Sequence, residues 1–154
     1  MESSIKILLK EANFSDIEFL WYLRNQPSVY QHSINSKPVK WEEHLSWILP
    51  ILLQIDKKVK LFIVKKKQTP VGQIRFNYES PSKAKISISL SEEFRGKGLA
   101  KKALELAVKH IRKDKKLKLL IAVIHKKNIV SQKLFEKLNF QFKRKKGSWL
   151  EYNL

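Results

Sequence analysis

The stretch from residue 83 to residue 124 changes its hydrophobic period twice, and this change constrains the fold more than any other feature. Polar and apolar residues alternate over 83–90, as in a β-strand with one buried face. From 98 to about 112 the apolar residues recur at helical spacing, and 117–124 is almost continuously apolar, as in a strand covered on both faces. Strand, helix and strand in this order predict a β-α-β unit in the second half of the chain.

The remaining elements complete a mixed α/β pattern. We expect strands over 5–10, 61–64, 71–78, 140–145 and 149–153, and helices over 16 to about 25, about 40–49 and 128–138. Ser15 is expected to cap the first helix, and Pro50 to kink or end the second. Antiparallel strands therefore precede the β-α-β unit and a hairpin through Gly147 closes the chain, so the sequence predicts one α/β domain with a mixed sheet.

Size and composition allow one globular domain and exclude several classes of protein. The chain has 154 residues, of which 43% are hydrophobic, and it has no cysteine. It is therefore neither disordered nor a disulfide scaffold, and it has no thiolate metal site or cysteine nucleophile. Its apolar runs are too short to span a membrane and residues 1–4 lack the hydrophobic region of a signal peptide, so we expect a cytoplasmic location and no membrane partner.

The net charge of +18, from 32 Lys and Arg against 14 Asp and Glu, favours anionic partners. Nucleic acid is one such partner, but its recognition relies on arginine, and only five of the basic residues are arginines. These five lie far apart in the sequence, whereas the lysines are spread along the whole chain. We therefore interpret most of the charge as a solvated lysine surface and rank a nucleic-acid-binding module last among the functions considered.

A glycine-rich loop with the sequence RGKGLA occupies residues 95–100, between a predicted strand and a predicted helix. Glycines let the backbone approach a ligand closely, and the first N–H groups of the helix point into the turn together with the positive end of the helix dipole. The loop is therefore a candidate diphosphate site, to which Arg95 and Lys97 add charge. It fits neither the dinucleotide fingerprint nor the Walker loop, because Lys101 and Gly98 stand where those patterns require other residues.

Two blocks of sequence resemble the GCN5-related N-acetyltransferase (GNAT) family. The first, SEEFRGKGLA over 91–100, carries the R-x-x-G-x-A pattern of the family's acetyl-CoA loop. The second, NIVSQKLFEKLNF over 128–140, is similar to the signature N-x-x-S/A-x-x-L-Y/F-E-K-x-G-F at the usual distance from the first. The resemblance implies an acetyl-CoA-dependent N-acetyltransferase with a GNAT fold, in which a single domain over 1–154 has a mixed, centrally splayed sheet flanked by about four helices.

The resemblance assigns residues 83–140 mainly to acetyl-CoA. The backbone of Ile88, Ser89 and Leu90 is expected to pair with the pantetheine arm where the sheet splays. The loop amides are expected to bind the diphosphate, and the residues concerned are Arg95, Gly96, Lys97, Gly98, Leu99 and Ala100. Asn128 is expected to bind the pantetheine while also capping its helix, whereas Ser131 is either a cofactor contact or a small residue that permits close packing.

Two positions depart from the family pattern. Phe135, taken as a cofactor contact, stands where many members carry a tyrosine whose phenol protonates the leaving thiolate. The phenylalanine supplies no general acid, although a thiol with a pKa of roughly 8.5 still leaves as a thiolate. Asn139 replaces the usual glycine, and asparagine tolerates the left-handed backbone that such a helix end requires.

The resemblance leaves the catalytic base open. Glu79, His44 and His125 are the candidates, each with a surface or structural role as the alternative, and a water-mediated route is a further possibility. The donor that polarises the thioester carbonyl is expected to be a strand amide near residue 90. No metal is expected.

The acceptor site is expected mainly within residues 1–60. Part of this region resembles the R-N-x-x-x-V … S … H-x-x-W pattern of a GNAT sub-group that acetylates amino sugars on nucleotide carriers, notably the 4-amino sugar of pseudaminic acid synthesis. This resemblance implies substrate contacts at Arg24, Asn25, Tyr30, His44 and Trp47. Core packing is the alternative for Trp47, and as i, i+3 neighbours His44 and Trp47 can share one wall of a site.

Two acceptors therefore stay open. The first is a small-molecule amine, best represented by a nucleotide-linked amino sugar. The second is a protein N-terminus, such as that of a ribosomal protein, because a basic surface would suit a target bound to rRNA. Either enzyme is expected to be a monomer or a homodimer.

Overall fold

A computed structural model describes residues 6–154, and the chain order is β-α-α-α-β-β-β-α-β-α-β-β. The strands are Ile7–Glu11 (β1), Val59–Lys66 (β2), Thr69–Ser80 (β3), Lys83–Leu90 (β4), Leu119–His125 (β5), Gln141–Lys146 (β6) and Trp149–Asn153 (β7). The helices are Ile17–Arg24 (α1), Pro27–Tyr30 (α2), Trp41–Leu52 (α3), Leu99–Ile111 (α4) and Ile129–Lys137 (α5), with 3-10 turns at Phe14–Asp16 and Glu92–Phe94.

The seven strands form one sheet in the order β1-β2-β3-β4-β5-β7-β6, in which β4 and β5 are parallel and all other neighbours are antiparallel. Successive side chains of β2 point to opposite faces of the sheet. Phe62 and Val64 belong to the main core with α4, whereas Leu61 and Ile63 pack with α1 and α3. The mixed α/β fold expected from the sequence is confirmed.

The sheet opens between its two parallel strands. β4 and β5 pair only from Lys83↔Leu119 to Lys85↔Ile121, although β4 continues to Leu90 and β5 to His125. The facing edges of 86–90 and 122–125 therefore lack a ladder, and we call the gap between them the wedge. The central splay expected from the family resemblance lies here.

The cap expected at Ser15 and the helix end expected at Pro50 were wrong, whereas the kink expected as the alternative at Pro50 stays a prediction. Ser15 does not cap α1; instead Asn13 Oδ1 accepts the Ser15 N–H at 2.9 Å and Asp16 Oδ2 accepts the Asn13 N–H at 2.8 Å, so a capping box closes a 3-10 turn before the helix. Pro50 does not end α3, which continues to Leu52. A proline in the last helical turn removes a single hydrogen bond, which the packed helix tolerates.

The other differences are small. α2 is a single turn that begins with a proline at its first position and was not expected, so the described residues form five helices rather than about four. The strand expected over 5–10 is observed at Ile7–Glu11, and Ile5 lies outside the described residues. Between residues 6 and 154, no helix is both long and apolar enough to cross a bilayer.

Candidate active site

The loop between β4 and α4 presents a row of free main-chain amides at the mouth of the wedge. Gly96 and Gly98 have φ angles of +72° and +75°, a left-handed backbone that glycine adopts without strain, and no atom of a non-neighbouring residue lies within 4 Å of where a Cβ would be. No side chain caps α4, and within residues 6–154 the amides of 96–100 have no acceptor. We call these five N–H groups the amide cradle. Together with the helix dipole they form an anion site.

Arg95 fastens this loop to the end of β4. Its Nε and Nη2 both donate to the Leu90 carbonyl, at 3.2 and 3.1 Å. Burial lowers the pKa of the Arg95 guanidinium, and the nearby Glu92 carboxylate partly opposes this shift. The expected role of Arg95 in adding charge to the diphosphate stays a prediction, whereas its contact with Leu90 shapes the cradle directly.

Gly72 allows β3 to approach β4 where the wedge opens. It pairs with Leu90, and a Cβ atom at residue 72 would lie 2.4 Å from the Ser89 carbonyl oxygen and 2.6 Å from Leu90 Cδ2. Real Cβ atoms do not make such contacts, so a side chain here would force the two strands apart. Gly72 therefore positions the backbone of Ser89 and Leu90.

The opposite wall of the wedge ends in His125 and Asn128. Asn128 Oδ1 caps α5 by accepting the Ser131 N–H at 3.2 Å, and its Nδ2 has no partner within residues 6–154. The capping role expected for Asn128 is present, and its amide donor is free for a ligand. Ser131 lies half-buried in the first turn of α5.

His125 presents a donor rather than an acceptor at its second ring nitrogen. Its Nδ1 accepts the Lys127 N–H at 3.1 Å, and its ring stands edge-on to Trp149 with centroids 5.1 Å apart. The neutral ring therefore carries its proton on Nε2. In this tautomer His125 can donate a hydrogen bond from Nε2. It can accept a proton only at Nδ1, which already accepts the Lys127 N–H.

Glu79 lies at the closed end of the wedge. Its neighbour in β3, Tyr78, pairs with Ala84, so the carboxylate is about six residues, or roughly 20 Å, from Leu90 along the sheet. Lys83 and Lys85 each contact the Glu79 carboxylate at 3.1 Å and lower its pKa. Both the position and the ion pairs suit a surface role better than a catalytic base.

His44 is placed between two helices and away from solvent. It is 3% exposed, and its Nε2 lies 2.9 Å from the Ile17 carbonyl of α1, to which it donates. Burial lowers the pKa of His44, and the carbonyl raises it to a smaller extent. The ring therefore fastens α3 to α1 as a neutral donor, and the wall it was expected to share with Trp47 is formed by packed rings whose centroids are 6.0 Å apart.

His44 makes the stability of the fold depend on pH. Because its pKa is lower in the folded chain than in the unfolded chain, its contribution is complete above about pH 6.5 and is lost as the pH falls. We expect the free energy of unfolding to fall below pH 6.5, with His44 contributing up to about 1.4 kcal/mol per pH unit. Urea unfolding of His44→Gln should show a weaker dependence of the unfolding free energy on pH between pH 6.5 and 5 than the parent protein shows.

The loop 31–40 is held in place by side chains of α1 and its C-terminal cap. Asn25 makes two hydrogen bonds with the Val39 backbone, at 2.7 and 3.0 Å, and Arg24 donates to the carbonyls of Asn35 and Lys37. The side chain of Asn25 is therefore occupied by the loop, whereas the guanidinium of Arg24 has further N–H groups that can bind a ligand. Tyr30, the remaining acceptor-side residue, lies half-buried in α2.

Two residues that the sequence did not single out bring this loop to the wedge. Gln26 Oε1 accepts the Glu92 N–H at 3.1 Å and ties the start of α2 to the chain just after β4. His32 lies close enough to His125 and Arg95 for both to lower its pKa, after the larger effect of desolvation. His32 is therefore a neutral ring on the acceptor side of the wedge at pH 7.

Phe135 faces the main core. It is 3% exposed and packs edge-to-face on Phe140, with ring centroids 5.0 Å apart. A packing role accounts for this residue, and its expected contact with the cofactor stays a prediction. Its burial agrees with the absence of a hydroxyl, which would need a partner here.

Comparison with known proteins identifies the family. A family model described as "Acetyltransferase (GNAT) domain" matches residues 6–141. The chain belongs to the GNAT acetyltransferase family. The family expected from the sequence resemblance is thereby confirmed. A curated relative, the uncharacterized protein MJ1062 of Methanocaldococcus jannaschii, is 32% identical over 97% of this chain, which spans only 31% of that relative.

Solved structures share the fold of this GNAT acetyltransferase. A domain from Methanocaldococcus jannaschii has a TM-score of 0.83 and 26% identity, with 98% of this chain and 99% of that chain covered. Campylobacter jejuni PseH in complex with acetyl coenzyme A has a TM-score of 0.75 and 20% identity, with 97% and 98% covered. RimL, a ribosomal L7/L12 α-N-protein acetyltransferase in complex with coenzyme A, has a TM-score of 0.83 and 18% identity, with 99% and 94% covered.

Proposed function

We propose that this GNAT acetyltransferase transfers the acetyl group of acetyl-CoA to the amine of an amino sugar on a nucleotide carrier. The observation that supports this acceptor most is the charge of the acceptor side. Neither Arg24 nor Arg75 pairs with a carboxylate in the described part of the chain, and Arg95 lies beside the wedge at the end of β4. Such a wall attracts a diphosphate and repels a cationic acceptor such as a polyamine.

We also propose the division of labour expected from the sequence, with residues 83–140 holding acetyl-CoA and residues 1–60 providing most of the acceptor site. Acetyl-CoA, when bound, supplies the acyl group as an activated thioester. The amide cradle would bind its diphosphate, and the backbone of Ile88 and Ser89 would border its pantetheine arm. Because the chain holds both reactants in place, positioning supplies a large part of the rate.

The proton of the acceptor amine needs a path out of the site. Of the three bases suggested by the sequence, His125 alone lies at the open end of the wedge, and its free nitrogen carries a proton in the neutral ring. His32 lies next to it, and its lowered pKa keeps it neutral at pH 7 and able to accept a proton. We propose that these two rings, with water, form that path.

A protein N-terminus is the second candidate acceptor. The observation that favours it is the net charge of +18, most of which lies outside the wedge on exposed lysines and would suit a target near rRNA. Ribosome association that weakens with added salt would support this alternative.

A thiol-release assay with acetyl-CoA separates the candidates. The acceptor panel contains UDP-linked amino sugars, the corresponding free amino sugars, N-terminal peptides and polyamines. We expect the highest kcat/KM for the UDP-linked amino sugars. Activity on peptides alone would contradict the proposal, as would equal activity on free and nucleotide-linked sugars.

Asn128 provides a test of the cosubstrate site that spares the fold. In Asn128→Asp the carboxylate keeps the cap on the Ser131 N–H, but the free amide donor is lost. We expect an increase of about tenfold in the KM for acetyl-CoA, the value of one lost hydrogen bond, with the unfolding free energy unchanged within about 0.5 kcal/mol. The comparison variant Asn128→Ala should also lose about 1 kcal/mol of stability, and an unchanged KM in both variants would remove Asn128 from the site.

A further inference from the structure

Arg75 is a half-buried cation that has no ion-pair partner among residues 6–154. It lies in the middle of β3 on the face that packs against α1 and α3, because it pairs with Leu61 of β2. Its Nε is fully buried and makes no hydrogen bond, and its guanidinium forms no ion pair within residues 6–154. Burial lowers the pKa of Arg75, and the nearby Arg24 lowers it further.

A structural role does not account for this residue. The contact that Arg75 does make is with the ring of Trp47, whose centroid lies 5.5 Å from Cζ. A cation–π contact recovers only a small part of the free energy lost when a guanidinium leaves water without an acceptor. An apolar residue would pack the same space better, as replacements of buried charges in other proteins show. The cost of keeping Arg75 therefore points to a ligand that supplies the missing acceptor.

The surroundings of Arg75 are polar and extend to the wedge. Gln73 lies two residues away on the same face, and its Oε1 is also buried without a partner. The residues of β4 that pair with Arg75 and Gln73 are Ser87 and Ser89, so two small hydroxyl side chains lie between the guanidinium and the wedge. At about 5 Å per strand, Arg75 is two strand spacings, or about 10 Å, from the middle of the wedge.

We propose that Arg75 binds an oxyanion of the acceptor substrate, a phosphate or carboxylate group located about 10 Å from the amine that is acetylated. Trp47 covers the guanidinium and holds it in plane for this contact. Arg24 raises the positive potential without touching the same oxygens. The inference rests on the proposed function, since it assigns to one side chain the recognition of the anionic part of that acceptor.

The test separates ligand binding from packing. Protein saturated with coenzyme A, which occupies the amide cradle, is titrated by calorimetry with UDP, inorganic pyrophosphate and glutarate. We expect wild-type protein to bind at least one of these anions, and Arg75→Met to weaken that binding about 30-fold or more. UDP and pyrophosphate binding without glutarate binding assigns the oxyanion to phosphate, and the reverse assigns it to carboxylate.

Thermal unfolding of the same variants gives the second readout. Because the buried Nε of Arg75 has no acceptor in the absence of substrate, Arg75→Met should have a melting temperature equal to or above that of the wild type. Arg75→Lys should recover part of the anion affinity, and Arg144→Met, which removes an exposed arginine paired with Glu151, should leave anion affinity unchanged. A lower melting temperature of Arg75→Met with unchanged anion affinity would show a structural residue and overturn the inference.

The outcome also distinguishes this inference from the proposed function. If nucleotide-linked amino sugars are acetylated and Arg75→Met does not raise their KM, the inference fails and the proposed function stands. If the anions bind through Arg75 but no nucleotide-linked amino sugar is acetylated, the proposed function fails and the subsite belongs to another anionic acceptor. Absence of anion binding by the wild-type protein overturns the inference in either case.

Discussion

Replacing Gly98 with valine is expected to weaken coenzyme A binding at least about 100-fold. In the proposed site the cradle would hold the diphosphate by charge-assisted hydrogen bonds from main-chain amides, each contributing about 1.5–3 kcal/mol, and loss of two such bonds corresponds to this factor. Valine at a φ of +75° shifts the backbone out of the left-handed region and places two methyl groups in the space that the diphosphate needs. Calorimetry with coenzyme A measures the effect.

Gly147 offers a matched control. It also has a positive φ, +60°, with open space around its Cα, but it lies in the turn between β6 and β7, far along the chain from the cradle. Gly147→Val should lose a similar amount of stability while keeping its affinity for coenzyme A. Equal affinity in Gly98→Val and wild-type protein would contradict the assignment of the cradle.

Gly72→Ala is expected to cost about 3 kcal/mol of stability and to impair acetyl-CoA binding at the same time. The new Cβ would meet the Ser89 carbonyl oxygen at 2.4 Å, and a backbone atom in the centre of a sheet cannot move aside as a side chain can. β4 is therefore displaced at the residues that border the wedge. Urea unfolding and the KM for acetyl-CoA measure the two effects.

The control for Gly72 is Gly147→Ala, whose Cβ would meet nothing within 4 Å and which lies outside the amide cradle. It should lose only the cost of a left-handed alanine, about 1 kcal/mol. A double variant, Gly72→Ala with Leu90→Ala, relieves the contact with Leu90 Cδ2 but not the one with the carbonyl. Full recovery of stability in the double variant would show that the side chain, and not the strand backbone, sets the limit.

The parts of the site that depend on local sequence were predictable. The alternation over 83–90 gave the bounds of β4 to the residue, because each face of that strand meets one environment. Gly98 and Asn128 were placed correctly at the starts of α4 and α5, since capping depends on the few residues around a helix end. Even the wedge followed from the family resemblance, because the two blocks flank it.

The parts that depend on contacts between distant segments were not predictable. Arg75 is one of five arginines in the sequence, and only the packing of α3 against β3 buries it under Trp47. Gln26 contacts the chain after β4 through the Glu92 N–H, and His32 lies near His125 and Arg95, contacts between distant segments that no spacing reveals. The H-x-x-W pattern predicted that His44 contacts the substrate. Its burial against the Ile17 carbonyl follows only from the packing of α3 on α1.

The two helix ends that differ from the expectation are explained by neighbouring residues. Ser15 is a good capping residue, but Asn13 two positions earlier closes a turn with Asp16 and moves the helix start. Pro50 is a helix breaker in isolation, and the buried Ile48 and Ile51 on either side keep the helix intact across it.

Three residue pairs alone join β4 to β5, so the four strands on one side and the three on the other share little backbone bonding across the middle of the molecule. A molecule of acetyl-CoA bound along both edges of the wedge would replace the backbone hydrogen bonds that β4 and β5 do not make with each other. Thermodynamic linkage then predicts that acetyl-CoA stabilises the folded enzyme, with about 2.7 kcal/mol gained when the cosubstrate stands at a hundred times its dissociation constant.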